Sequence, residues 1–174
     1  VVYRWAVAAE WDPAVAVAKV LDFVGSVWVT WPLMVAVAAW LAWRRRWEAF
    51  ATWVSAMVIS QALIGPVKDV YERVRPPLPL VETTSWSFPS GHAVAGAAIA
   101  LAAVIVLVRA GPKRRNLEML AAAVVVVMAL SRVYLRAHWL TDAAAGAALG
   151  AAIAIFSAAI IHRIDDRRRG SVQS

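Results

Sequence analysis

Three polar clusters interrupt an otherwise apolar chain, and each holds residue types that can bind or attack a phosphate. The first cluster is Phe88-Pro89-Ser90-Gly91-His92, directly ahead of an apolar run. Pro89 and Ser90 are types that commonly open a helix, and Gly91 lets a ligand approach the backbone closely. The free N–H groups of a helix start favour an anion, and His92 can exchange a proton near neutral pH. An ordinary helix start explains the same residues.

The second cluster consists of Lys68, which ends an apolar segment, and Arg75, which is followed by Pro76. If the apolar segment crosses a bilayer, two cations at its surface are costly to desolvate unless they meet an anion. Both could hold a phosphate, although side chains that snorkel to lipid headgroups fit the same positions. Arg73 and Arg136 fit the snorkelling role better, because no motif includes them.

The third cluster contains Arg132, His138 and Asp142. If the chain is helical there, the i, i+4 spacing places the Asp142 carboxylate one turn from the His138 imidazole. Such a carboxylate fixes the tautomer and raises the basicity of the ring, so that the other nitrogen is free to attack. A histidine–aspartate pair is also a common structural bond. The catalytic interpretation requires that all three clusters meet on one face.

The composition around these clusters is typical of a membrane protein. Of the 174 residues, 62% are hydrophobic, and several apolar runs approach the ~20 residues that cross a bilayer. The absence of cysteine excludes disulfides, thiolate zinc sites and cysteine nucleophiles. The formal net charge of +7 lies in short basic blocks between apolar runs, a pattern that indicates membrane topology rather than a nucleic-acid partner.

We predict an all-α integral membrane bundle with five spans. The predicted spans are 24–43, 49–67, 93–108, 117 to about 135, and 143–161. Basic blocks follow the first, third and fifth spans, and the positive-inside rule makes their side cytoplasmic. The polar clusters then all lie at the outer membrane face.

The predicted organisation has three regions. An interfacial N-terminal segment covers 1–23, the transmembrane domain covers 24–162, and a basic cytoplasmic tail covers 163–174, with disorder expected after Arg169. Gly146 and Gly150 form a Gly-xxx-Gly pair, which we expect to serve packing within the bundle. The ten tryptophans are expected to mark the two membrane interfaces.

Together the clusters resemble the three-part signature of the type 2 phosphatidic acid phosphatase superfamily. The matching residues are Lys68-x6-Arg75-Pro76, Pro89-Ser90-Gly91-His92 and Ser131-Arg132-x5-His138-x3-Asp142. Membrane members of this superfamily are lipid phosphatases, related at the site to vanadium haloperoxidases and bacterial acid phosphatases. They usually have six spans, one more than we predict here, so the resemblance leads us to expect that a first helix is absent or trimmed.

The resemblance implies a role for each matched residue. His138 would attack phosphorus and form a phosphohistidine, Asp142 would orient it, and His92 would protonate the leaving group and then serve as base for water. The phosphate oxygens would be held by Lys68, Arg75, Arg132, the Ser90 hydroxyl and the Gly91 N–H. Three cations neutralise a phosphate dianion and no carboxylate cluster is available for magnesium, so we expect no metal or other cofactor.

The expected protein is a lipid phosphatase of the bacterial plasma membrane, with its site on the extracytoplasmic side. Its partners would be the bilayer and one lipid phosphate, of the phosphatidate, phosphatidylglycerol phosphate or polyprenyl diphosphate class. The connector 69–88 would select the headgroup, or act only as a spacer. Two alternatives stay open: vanadate-dependent haloperoxidase chemistry on the same site, and a non-catalytic protein that binds or transports lipid phosphates.

Overall fold

The computed structural model describes residues 1–172, and the side chains through Arg168. This part of the chain forms seven α-helices and contains no strand, as the sequence predicts. In chain order they are α1 (Val2–Ala8), α2 (Asp12–Val24), α3 (Val27–Trp43), α4 (Trp47–Tyr71), α5 (Gly91–Leu107), α6 (Pro112–Tyr134) and α7 (Leu140–Val172).

Three described helices are long and apolar enough to cross a membrane, namely α4, α6 and the part of α7 that ends at Arg168. Helices α2 and α3 meet the same criterion as one span bent by 43°. Helix α5 has 17 residues, about 25 Å at the helical rise, which is shorter than the ~30 Å hydrocarbon core. The five predicted spans overlap α3 to α7, and their count as full crossings remains a prediction.

The N-terminal segment packs directly on the bundle. Helices α1 and α2 both contact α6, and the hydroxyl of Tyr134 joins them by accepting from the Trp11 N–H at 3.1 Å and donating to the Ala9 carbonyl at 3.0 Å. The chain bends at Gly25 and Ser26, between α2 and α3. The predicted boundary after residue 23 therefore falls in the last turn of α2, and the interfacial location of this segment remains a prediction.

Helix α5 occupies the centre of the bundle and contacts α4, α6 and α7. Its core-facing positions are mostly alanine, which lets the neighbouring helices approach closely. A Cβ atom at Gly146 would lie 2.7 Å from the Ser90 carbonyl oxygen, and one at Gly150 would overlap the Val94 carbonyl oxygen. The Gly-xxx-Gly pair therefore serves packing within the bundle, as predicted, and brings the start of α7 against the start of α5.

The helix α7 continues beyond the predicted span and ends at Val172. The disorder predicted after Arg169 is therefore wrong as far as Val172, and residues 173–174 lie outside the described residues. The sequence after Ile161 contains no proline, and its arginines are good helix formers, which explains why the helix continues.

Candidate active site

The predicted site residues converge at the end of the bundle where α4 and α6 finish and α5 and α7 begin. Lys68 lies in the last turn of α4, Arg132 in the last turn of α6, and Ser90 directly before α5. His138 lies in the short connector between α6 and α7, and Asp142 lies in the first turn of α7. The alternation of helix directions therefore gathers clusters that are far apart in the sequence.

His138 is held through its Nδ1 atom. This atom lies 2.7 Å from the carbonyl oxygen of Ser87 and 3.8 Å from Oδ2 of Asp142. Because a carbonyl oxygen can only accept, the geometry assigns the ring hydrogen to Nδ1 and leaves the lone pair on Nε2. The chain is not helical at His138, since α7 begins at Leu140. The partner expected from helical spacing, Asp142, is therefore farther from the ring than Ser87.

Asp142 is fully buried, and its carboxylate joins three segments beside His138. Its Oδ2 accepts from the Ser87 hydroxyl at 2.5 Å and from the Trp139 N–H at 2.9 Å, and its Oδ1 pairs with Arg73 at 2.6 Å. By binding the Ser87 side chain, Asp142 fixes the residue whose carbonyl holds the imidazole. Asp142 thus orients His138 through Ser87 in addition to its own charge.

Arg73 is a site residue that the sequence interpretation missed. Its Nη1 atom donates to the Thr141 hydroxyl and to Asp142, both at 2.6 Å, and its guanidinium lies 5.9 Å from the Trp139 ring centroid. The snorkelling role predicted for it is therefore wrong. Arg73 and Arg75 are two positions apart in a non-helical segment. In an extended chain, side chains two positions apart point to the same side, so this spacing could have indicated that Arg73 joins Arg75 in the site.

The snorkelling role is also wrong for Arg136. This residue is 6% exposed, and it pairs with Glu10 at 3.2 Å. The pair ties the connector between α6 and α7 to the N-terminal segment. Arg136 belongs to no motif, and its ion pair with Glu10 explains why an arginine is buried there.

Arg75 is held by backbone carbonyls on both sides. Its Nε atom donates to Ser85 and its Nη1 atom to Ala137, both at 2.6 Å, and its Nη2 atom donates to Trp86 at 3.2 Å. Neutral acceptors fix a guanidinium without cancelling its charge, so the charge remains available to an anion. Burial, followed by the charge of Arg132, lowers the pKa of Arg75, whereas the charge of Asp142 raises it.

Lys68 and Arg132 add two more cations near His138, and only 8% and 3% of their respective surfaces are exposed. Lys68 donates to the Trp86 carbonyl, and Arg132 donates through Nη1 to Asp22. The Nε atom of Arg132 is buried and has no partner among the described residues. An unpaired buried donor is costly, so this N–H lacks an acceptor that its burial calls for.

The start of α5 supplies neutral donors beside the cations. The Ser90 hydroxyl is buried, does not cap the helix, and has no partner within the described part of the chain. The first-turn N–H groups of α5 are therefore not covered by a side-chain cap. A Cβ atom at Gly91 would meet Ile64 at 3.6 Å, an ordinary contact. Packing alone therefore does not require glycine at position 91. The lack of a side chain at Gly91 would let a ligand approach the backbone closely.

His92 faces the end of α2. Its Nε2 atom lies 3.1 Å from both the carbonyl oxygen and Oδ1 of Asp22. Gly25 packs on the ring so closely that a Cβ there would lie 2.6 Å from Cδ2 of His92. The sequence interpretation did not place Asp22 in the site, because nothing in its local sequence connects it to a histidine 70 positions later.

The electrostatics of the site keep His138 neutral. Burial, together with the charges of Arg75, Arg132 and Lys68, lowers the pKa of His138 to about 4, and Asp142 acts in the opposite direction. At neutral pH the ring therefore retains the lone pair on Nε2. A neutral imidazole among cations can attack the phosphorus of an anionic group that those cations hold.

The described residues contain no group of three or more His, Asp or Glu side chains that could hold a metal ion. The charges that face the imidazole are those of Lys68, Arg75 and Arg132. The uncapped start of α5 and the Ser90 hydroxyl lie at the same end of the bundle.

Comparison with known proteins agrees with this chemistry. The family model described as PAP2 superfamily matches residues 49–166. Phosphatidylglycerophosphatase B of Bacillus subtilis (strain 168) is 33% identical to the chain over 129 residues, which are 68% of this chain and 61% of that protein. The chain thus spans about three-fifths of the length of this curated relative.

Two solved structures share the fold. A transmembrane PAP2-type phosphatidylglycerolphosphate phosphatase from Bacillus subtilis superposes with a TM-score of 0.81 at 27% identity, over 95% of this chain and 83% of that one. Aquifex aeolicus LpxE superposes with a TM-score of 0.71 at 22% identity, over 89% and 91%, and this likeness concerns the fold alone. The apolar helices and this transmembrane fold are those of a multi-pass membrane protein. With its three clusters assembled at one end of that fold, the chain belongs to the PAP2 superfamily.

Proposed function

We propose that the protein is a membrane lipid phosphatase that hydrolyses a phosphomonoester or diphosphate of a lipid through a phosphohistidine intermediate. The observation that carries the proposal is the state of His138. Its Nδ1 is bound to the Ser87 carbonyl, which leaves the Nε2 lone pair beside Arg75. The similarity to phosphatidylglycerophosphatase B over 68% of the chain supports the same activity class.

The first step transfers the phosphoryl group to His138. Nε2 attacks phosphorus, the bond from phosphorus to the lipid oxygen breaks, and His92 gives a proton to the departing oxygen. The Nδ1–H stays hydrogen-bonded to the Ser87 carbonyl oxygen. This bond stabilises the positive charge that develops on the ring. In the second step His92 takes a proton from water, the water oxygen attacks phosphorus, and the bond to Nε2 breaks to release phosphate.

The surrounding donors would stabilise the charge that moves during both steps. Lys68, Arg75 and Arg132 would contact the non-bridging oxygens, and the Ser90 hydroxyl and the first N–H groups of α5 would complete the set. Preorganised donors of this kind account for a large part of phosphoryl-transfer catalysis. Because three protein cations balance a phosphate dianion, we propose that the reaction needs no metal ion.

The location of the site in the fold supports a lipid phosphate as the substrate class. Three of the four helix ends that carry the site belong to helices long and apolar enough to cross a membrane, so a lipid phosphate would present its headgroup at this depth. Phosphatidate, phosphatidylglycerol phosphate and polyprenyl diphosphate all meet this condition. The basic blocks at the opposite helix ends support an extracytoplasmic site in a bacterial plasma membrane.

The connector between α4 and α5 supports a role in headgroup selection. It borders a cleft of about 490 Å³ beside Arg75. The lining residues are Asp69, Arg73, Val74, Arg75, Thr83, Thr84, Ser85 and Trp86. Hydroxyl and carboxylate groups of this kind can hydrogen-bond to a headgroup that carries hydroxyls, such as glycerol. A bare polyprenyl chain offers them no such partner.

The decisive experiment compares phosphate release by the wild-type protein and His138→Ala in detergent. Short-chain phosphatidate, phosphatidylglycerol phosphate and a polyprenyl diphosphate serve as substrates. We expect the wild type to release phosphate from at least one substrate, with and without EDTA, and His138→Ala to lose about 10³-fold or more of the rate. Vanadate should inhibit the reaction as a phosphate analogue.

His162→Ala is the matched control. This third histidine is 67% exposed and pairs with Glu48 and Asp166, about 30 Å along α7 from Asp142. Its loss should leave phosphate release unchanged. Lipid phosphate binding without release, equal in the wild type and in His138→Ala, would favour a binding or transport protein instead.

A further inference from the structure

Asp22 contacts two groups of the proposed site at once. Its Oδ1 atom pairs with Nη1 of Arg132 and lies 3.1 Å from Nε2 of His92. Its carbonyl oxygen also lies 3.1 Å from the same nitrogen. Asp22 belongs to α2, outside residues 49–166 that the family model matches. The N-terminal segment therefore reaches the site through one carboxylate.

We infer that Asp22 is a positioning residue that stabilises the protonated form of His92 and holds Arg132 for phosphate binding. The inference rests on the proposed function, because it concerns the proton that His92 gives to the leaving group. It extends the site beyond the three sequence clusters. It also gives the helix α2 a role in the reaction.

The charges around His92 support this role. Burial lowers the pKa of His92, and positive charge on Arg132 from α6 or on His138 from the connector between α6 and α7 acts in the same direction. Asp22 from α2 is the carboxylate that faces the ring among the described residues. Since a general acid must carry its proton before it can act, His92 depends on this negative charge.

The hydrogen-bond geometry assigns a direction to the proton transfer. Protonated His92 carries hydrogens on both ring nitrogens. The Nε2–H is held by Asp22, so Nδ1–H is the one that passes to the departing lipid oxygen. After the transfer, the neutral ring keeps its hydrogen on Nε2, and Nδ1 has a lone pair that can take a proton from water. Asp22 thus selects the tautomer that the second step needs.

Asp22 also orients Arg132. The carboxylate binds Nη1, whereas the Nε–H of the same guanidinium is buried without a partner in the described part of the chain. The pair therefore fixes one edge of the guanidinium and leaves another edge for a phosphate oxygen. Gly25, three residues after Asp22, packs on the His92 ring, so that one face of the α2 end holds both groups.

The test measures the pH dependence of kcat and KM for Asp22→Asn in the full chain. With a short-chain lipid phosphate, we expect kcat to fall about 10-fold or more, and the alkaline limb to move down by about one pH unit. With p-nitrophenyl phosphate, whose leaving group needs no proton, kcat should fall less than about 3-fold near the acid end of the profile. Asp22→Glu keeps the charge and should retain the alkaline limb of the wild type.

Glu10→Gln is the matched control, because Glu10 also ties the N-terminal segment to the bundle, through Arg136. It should leave both the pH profile and the leaving-group dependence unchanged. Thermal unfolding of each variant tests whether it is folded. If Asp22→Asn does not fold, the pH of the alkaline limb in Asp22→Glu tests the inference instead.

Three results would overturn the inference. Equal losses of kcat on both substrates with an unmoved alkaline limb would make Asp22 a structural tie only. Higher activity of Asp22→Asn would mean that the carboxylate competes with phosphate. Wild-type kinetics in Asp22→Asn would remove any role. Absence of phosphate release by the wild type is a different result, which contradicts the proposed function itself.

Discussion

The Nε2 atom of His138 lies 3.3 Å from the Nη1 atom of Arg75. The same Nη1 donates to the Ala137 carbonyl at 2.6 Å, so the guanidinium is fixed beside the ring by the residue that precedes His138. A phosphate oxygen bound to Arg75 would therefore hold phosphorus within reach of the Nε2 lone pair. Proximity of this kind replaces a bimolecular encounter with a positioned attack.

This relationship predicts an unusually low acid limb for the reaction. Burial and neighbouring cations lower the pKa of His138 to about 4, so the ring loses its lone pair only below that pH. Burial and the charge of Arg132 also lower the pKa of His92, and His92 must be protonated. The profile of kcat/KM should therefore be a narrow bell, with its acid limb near 4 instead of the ordinary 6.5. A profile measured on a short-chain lipid phosphate checks this, with His162→Ala as control, because the departing lipid oxygen needs the proton of His92. A monotonic profile, or an acid limb near 6.5, would contradict the assignment.

The Ser90 hydroxyl should matter for the reaction and not for stability. Because its Oγ atom has no partner in the described residues, Ser90→Ala removes no protein hydrogen bond, and the free energy of unfolding should change by less than about 0.5 kcal/mol. Loss of a phosphate donor should reduce kcat/KM about 10-fold or more.

Ser60→Ala should behave in the opposite way, because the buried Ser60 hydroxyl donates to the Met57 carbonyl at 2.9 Å, inside α4. We expect it to cost about 1 kcal/mol of stability and to leave kcat/KM unchanged. Thermal unfolding and kinetics on both variants make the comparison. A Ser90→Ala variant that is less stable but equally active would exclude the phosphate-binding role.

Arg73 should support the site through Asp142. Arg73→Ala leaves a fully buried carboxylate without its charged partner, so we expect a loss of about 1–3 kcal/mol of stability. The reaction should also slow, because Asp142 orients the Ser87 backbone that holds His138. Arg73→Lys should recover part of both losses, since it retains the charge. Arg109→Ala, at an exposed position beyond the opposite end of α5, is the control. Equal stability and activity of Arg73→Ala and Arg109→Ala would refute this role.

Hydrophobic pattern and residue type predicted the fold class well, because the bilayer requires long apolar helices and leaves few alternatives. The role of Gly146 and Gly150 was also predicted correctly, because helices that pack closely in a bundle need small residues where they meet. The continuation of α7 was missed, since a charged sequence can be helical or disordered. At the bend between α2 and α3, Gly25 packs closely against His92 and Met128, and these contacts cannot be read from the local sequence.

The three clusters could be found from sequence because each is short and carries its chemistry within a few residues. Their partners could not. Asp22 meets Arg132 across 110 positions, and Ser87 meets His138 across 51. The i, i+4 spacing of His138 and Asp142 also did not predict the hydrogen bond of the ring, because the Asp142 side chain accepts the Trp139 N–H at the start of α7. This bond helps α7 to begin after His138, so the imidazole turns to a backbone carbonyl.

Trapping the covalent intermediate tests the central claim most directly. His92→Ala with p-nitrophenyl phosphate should form the phosphoenzyme without an acid but hydrolyse it slowly, because the base for water is missing. After rapid quenching with radiolabelled substrate, we predict an acid-labile, base-stable label on the peptide that contains His138, and none when His138→Asn is added. A label on another residue, or phosphate release that persists in the His138→Asn variant, would contradict the account.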